Sequence, residues 1–168
     1  MSCENRFVRR VKNFFLPEFN RRFLIRLSVI ILAASLFFSV FKPCFISGSS
    51  MEPTYHDRSF VLVFRWSYLF RPVQRGDVVT IAYFGRTNLL KRVVALAGDR
   101  VEFRNGRLWV NGQEQQEDYV VNPCSWNMKP LTVRPGHCFV VGDNRNQRQE
   151  EHKFGEVEVK RVNGGVWL

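Results

Sequence analysis

The sequence has no Cys-x-x-Cys or His-x-x-x-His pair, and His56, His137 and His152 lie far apart, so spacing offers no metal centre. It lacks both a Gly-x-Ser-x-Gly elbow and a phosphate-binding P-loop. No repeat recurs at solenoid or propeller spacing, and no low-complexity run occurs, which excludes a repeat array and wholesale disorder. Four cysteines, Cys3, Cys44, Cys124 and Cys138, are too few for a disulfide framework. A Cys124–Cys138 bridge and two free thiols are both compatible with the sequence. Acidic residues are scarce: 15 Asp and Glu stand against 25 Lys and Arg, a net charge of +10 over 168 residues. Such a balance can serve nucleic acid, but its placement argues otherwise.

Residues 1–42 hold eight of the basic residues and only Glu4 and Glu18 as acids. They flank the apolar run "FLIRLSVIILAASLFFSVF", Phe23–Phe41. At helical rise this run spans about 28 Å, close to the hydrocarbon thickness of a bilayer. It has no polar face, which is unlike a soluble core helix. Arg26 lies near one end, where it can snorkel, and Pro43 stands just past the other. A cleaved leader is the rival reading, yet Lys42 and Pro43 follow the apolar run directly. The expected division is a basic cytoplasmic segment over 1–22, a transmembrane anchor over 23–42 and an outer domain over 43–168. The excess of Lys and Arg before the run sets that orientation.

The outer part reads as strands. "SFVLVF" (59–64), "GDVVTIAYF" (76–84) and "LLKRVVALAG" (89–98) are short and rich in β-branched residues. Asn105-Gly106 predicts a hairpin turn within 100–112, and Asn111-Gly112 a second turn. "HCFVVGDN" (137–144) and "GGVWL" (164–168) complete the set. The expected fold class is mainly β: an N-terminal transmembrane helix, then an antiparallel, barrel-like sheet domain. "FRWSYLFRP" (64–72) reads as an aromatic loop, with Trp66, Tyr68 and Phe70 directed either to a membrane interface or to the core.

Polar chemistry concentrates in "CFISGSSMEPTYHD" (44–57), which carries Ser47, Ser49 and Ser50. By composition these serines are interchangeable. The ordered blocks "SGSSMEPT", "RGDVV", "KRVVALAGD" and "GDNR", behind an N-terminal apolar run, resemble those of the type I signal peptidases, membrane-anchored serine proteases. The resemblance implies that Ser50, just before Met51, Pro53 and Thr54, is the nucleophile and that Lys91 is the general base. It implies that Gly48 and Ser49 shape the oxyanion side. Met51, Pro53, Arg92, Asp143, Asn144 and Arg145 would then give structural support, with Arg92 braced by Asp143. No cofactor and no metal are implied. The expected partners are signal-peptide-bearing preproteins and the lipid bilayer, not nucleic acid, and the implied location is the bacterial inner membrane.

The chemistry is coherent. A serine hydroxyl needs a neighbour to take its proton, and an ordinary lysine, with a pKa of about 10.4, is almost wholly charged at neutral pH. Burial favours the neutral amine, and Lys91 sits among apolar residues in "TNLLKRVVAL". After "GDNR" the chain departs from the family pattern: Arg148 stands where many members have a serine that holds the lysine, with Glu150 and His152 where they have Asp and Arg. Arginine accepts no hydrogen bond from lysine. The departure leaves two alternatives beside signal-peptide removal: an inactive, membrane-anchored peptide binder, and a processing peptidase of narrower duty, of the conjugation or mitochondrial inner-membrane kind.

Overall fold

The structure is a computed structural model that describes residues 20–83, 87–121, 124–148 and 155–167. The chain divides into two compact units, Met1–Ser39 and Val40–Leu168. In the first, helix α1 spans Arg21–Val40, and none of its residues is buried. The Asn20 side chain accepts the Phe23 N–H at 2.9 Å, satisfying an amide that the first turn leaves open. This helix is long and apolar enough to cross a membrane. It ends at Val40, short of the expected Lys42.

The second unit is built on two antiparallel sheets. The strands are β1 (Phe41–Phe45), β2 (Phe60–Phe64), β3 (Val78–Tyr83), β4 (Thr87–Leu96), β5 (Arg100–Arg104), β6 (Arg107–Val110), β7 (Gln113–Glu114), β8 (Met128–Thr132), β9 (His137–Val141), β10 (Gly155–Glu158) and β11 (Val162–Val166). One sheet has the order β1-β2-β11-β3-β4-β9-β10 and the other β7-β6-β5-β8. Both are open sheets: among the described residues β1 and β10 are edges of the first, so hydrogen bonding does not close it into the expected barrel.

Local sequence explains much of this. Asn105 (φ 49°) and Gly106 (φ 79°) form the left-handed pair that a tight hairpin requires, and a Cβ on Gly106 would collide with the Cys124 carbonyl. Asn111 and Gly112 repeat the conformation between β6 and β7. Inward residues of the two sheets meet in one cluster: Val94, Ala95, Phe139 and Val141 from the larger, and Val101, Phe103, Leu108 and Val110 from the smaller. Phe103 meets Trp126 edge-on at 5.7 Å. A second cluster joins Val79, Ile81, Val93, Cys138 and Val140, and a third gathers Ile46, Val61 and Val63.

The aromatic segment is not a plain loop. Ser67–Phe70 forms a helical turn, α2, whose Ser67 hydroxyl donates to Phe64 O at 2.6 Å and accepts from Gly165 N. Its aromatics part company: Tyr68 packs on the second cluster, whereas Trp66 and Phe70 are exposed. Cys44, Cys124 and Cys138 are free thiols, and Cys124 and Cys138 pack on different clusters. Burial pushes the Cys138 thiol up to about 11, so it is inert at neutral pH.

Candidate active site

Ser50 lies in the turn after β1, half-buried, with Met51 beneath it almost wholly buried. Two residues earlier Gly48 adopts φ +100°, and nothing lies within 4 Å of a Cβ built there. The backbone conformation, rather than crowding, is what calls for glycine at this position. Its N–H donates to Asp57 Oδ1 at 2.7 Å, so Gly48 turns its amide into its own loop. The Glu52–Pro53 peptide is cis. Ser47 is exposed.

The loop is fastened from the far end of the chain. Asn144 N donates to Ser50 O at 3.1 Å, and Asn144 Nδ2 donates to Ser49 O at 2.9 Å. Gln147 Nε2 reaches the Ser49 hydroxyl at 3.0 Å. Thr54 Oγ1 donates to Asp143 Oδ2 at 2.6 Å. The Ser50 N–H donates to no acceptor among the described residues.

Lys91 lies on β4, opposite Val79 of β3, and is only 2% exposed. Its neighbour Arg92 points to the other face of the strand. There Arg92 forms a forked pair with Asp143, Nε to Oδ1 at 2.9 Å and Nη2 to Oδ2 at 2.6 Å, and its Nη1 donates to Gly76 O. Asp143 is therefore shared between the β4 arginine and Thr54. The Arg92 guanidinium also lies 4.0 Å from the centre of the Tyr119 ring. Burial pushes the Tyr119 phenol far up, and the Glu117 carboxylate that accepts its proton adds to this. Glu117 in turn takes a forked pair from Arg145, whose side chain is fully buried. A continuous polar network thus runs Thr54–Asp143–Arg92–Tyr119–Glu117–Arg145.

The "RGDVV" and "KRVVALAGD" blocks are also joined. Arg75 forms a forked pair with Asp99, which further accepts the Leu96 N–H and Asn111 Nδ2. Burial pushes the Asp99 carboxyl up, but these hydrogen bonds and the Arg75 charge outweigh it and hold the group below the usual carboxylate range. Asp77 is held low in the same manner by Arg71, the Gln74 N–H and Tyr68.

The structure brings Ser49, Ser50, Thr54, Arg92, Asp143 and Asn144 into one contact network, with Lys91 adjoining it in the chain. Arg148 is exposed and stands apart, while its neighbour Gln147 is the residue that touches the serine loop. Glu150 and His152 lie outside the described residues, as does 1–19 of the basic N-terminal segment. Thr54, Glu117, Tyr119 and Gln147 were not singled out by sequence. Only Thr54 had a signal, as the last residue of the "SGSSMEPT" block.

Comparison with known proteins is consistent throughout. The pattern of the family described as "Signal peptidase, peptidase S26" matches residues 20–168. Thylakoidal processing peptidase 1 of Arabidopsis thaliana is 35% identical over 135 residues, which are 73% of this chain but 40% of that protein. The probable signal peptidase I-1 of Synechocystis is 34% identical over 144 residues, 80% of this chain and 74% of the relative. Signal peptidase I of Bacillus caldolyticus is 30% identical, with 82% and 83% covered. The crystal structure of a signal peptidase I from Enterococcus faecalis superposes with a TM-score of 0.50 at 27% identity, over 58% of this chain and 98% of that one. With the family pattern spanning both the apolar helix and the sheets that carry these blocks, the chain belongs to the type I signal peptidases, serine endopeptidases of peptidase family S26.

Proposed function

We propose that this chain is a membrane-anchored peptidase that removes signal peptides from exported preproteins, with Ser50 as nucleophile and Lys91 as general base. The observation that carries the reading is the fastening of the serine turn beside the lysine. Asn144 grips the Ser49 and Ser50 carbonyls, while the adjacent Asp143 grips the Arg92 that follows Lys91. Burial of Lys91 removes the hydration on which an ammonium depends, which favours the neutral amine a base requires. Ser50 Oγ attacks the scissile carbonyl, Lys91 Nζ takes its proton and passes it to the leaving amine, and water activated by Lys91 hydrolyses the acyl ester. The unengaged Ser50 N–H is one oxyanion donor.

The sheet offers a matching groove. Among the described residues β1 is an edge strand, and β9 pairs with β4 only from Arg92 onward, so Thr87–Lys91 are bonded on the β3 side alone. An extended peptide can add to these edges. Cys44, Ile46, Tyr55 and Leu90 cluster there and already fill much of the space, which suits small substrate side chains. The Arg residues opening α1 and the single Lys42 beyond it support an N-terminus in the cytoplasm and a catalytic unit outside a bacterial inner membrane.

Arg148, standing where many members carry serine, favours a second reading: an anchored domain that binds such peptides without cutting them. Cleavage of a preprotein by the purified full chain separates the two. Wild type is expected to cut, and Ser50→Ala and Lys91→Ala to lose about 10⁴-fold or more. Full activity in either variant would sink the dyad. Peptide binding by wild type without cleavage would establish the second reading.

A further inference from the structure

Where β1 and β2 leave the end of α1, the two faces of the sheet differ. One is aromatic, with Phe41, Phe64 and Trp167 stacked at 5.3–6.0 Å. The other holds a cavity of about 250 Å³ bordered by Lys42, Cys44, Arg65, Thr80, Asn88 and Asn163. No acid lines it. Lys42 and Arg65 are exposed and form no ion pair among the described residues, although Arg71, Arg75, Arg92, Arg134 and Arg145 all do. Asn163 Nδ2 donates to Asn88 Oδ1 at 2.8 Å, which leaves the Asn88 NH₂ as a further donor, and the Thr80 hydroxyl is turned to Gly164 O.

We propose that this cavity binds the phosphate of an anionic lipid headgroup in the leaflet where α1 ends. Charge is the first argument: two uncompensated cations and amide donors converge without an acid, and a guanidinium fork beside an ammonium matches phosphate oxygens. Position is the second. Lys42 follows the last helical residue by two positions, and the Arg65 N–H donates to the Val40 carbonyl at 2.9 Å. Both cations are thus tied to the end of the helix. The inference rests on reading α1 as a membrane anchor and is independent of the Ser50–Lys91 dyad. Cys44 also borders the groove proposed above, so the bound headgroup lies against the peptide-binding edge.

The test uses the full chain carrying Ser50→Ala, reconstituted in phosphatidylcholine vesicles with a minority of phosphatidylglycerol, and reads the lipids retained by native mass spectrometry. Preferential retention of phosphatidylglycerol is expected. Lys42→Gln with Arg65→Gln should cut that preference about 30-fold, roughly five-fold per cation, while Lys42→Arg with Arg65→Lys should keep it. An embedded protein with equal retention in the Gln and parent forms overturns the proposal alone. Protein recovered outside the vesicles overturns the anchor reading and this proposal with it. If the Gln variant instead loses affinity for preproteins with acidic residues ahead of the cut, in uncharged detergent and with lipid retention unchanged, the cavity belongs to the substrate and the lipid assignment falls.

Discussion

Around β5 and β6 the smaller sheet is held by Val101, Phe103, Leu108 and Val110, side chains that pack in any sound core. Around β4 the larger sheet buries Lys91, Asp143 and Arg145, with Arg92 only 12% exposed at its side chain. Desolvating so many charges is costly, and replacing a buried ion pair with apolar residues is often neutral or stabilising. A sheet selected for stability alone would look like the first region. The second spends stability on fixed geometry, and it does so where the serine turn is fastened.

Asp143→Ala tests that contrast most severely. It leaves Arg92 buried without its partner and Thr54 without its acceptor, and should lower stability by about 3–5 kcal/mol and abolish cleavage even below the melting temperature. Phe103→Ala is the matching change in the smaller sheet. It should cost a similar ~3–5 kcal/mol by thermal unfolding, yet leave kcat per folded molecule near wild type. If Phe103→Ala lost cleavage as completely, the division of labour between the sheets would fail. Thr54→Val removes a single hydrogen bond to Asp143 and should cost about 1 kcal/mol, with a larger fall in kcat than in stability. The mildest effect is on acid tolerance. Asp99 binds its proton less tightly folded than unfolded, so the unfolded state takes up more protons in acid. Its contribution is complete above the usual carboxylate pKa of about 3.9 and is lost as pH falls through the depressed folded value. Asp99→Asn should flatten the acid limb of a plot of melting temperature against pH.

The parts of this fold that the sequence discloses are those with local causes. The Asn-Gly turns at 105–106 and 111–112 and the apolar strands β2, β3, β4, β9 and β11 need only their own residues. β1 was hidden because Phe41 continues the apolar run and Pro43 argues against a strand; it is tolerated because β1 is an edge. β8 hid in the same way behind Pro130, also at an edge. β7 and β10 are too short for alternation to register. Ser50 and Lys91 were not separable from other serines and lysines by spacing; the order of four blocks singled them out. Glu117, Tyr119 and Gln147 could not be read at all, because each acts through a contact that no local pattern encodes.

The fastenings of the serine turn have one further consequence, in the order of assembly. Thr54 meets Asp143 across 89 residues of chain, Ser49 meets Asn144 across 95, and Ser49 meets Gln147 across 98. A growing polypeptide presents the serine early and its clasp late, so the turn cannot be held in its final shape until at least 147 residues have been made. The nascent chain therefore carries a reactive residue in a harmless form, and the completed sheet is what arms it.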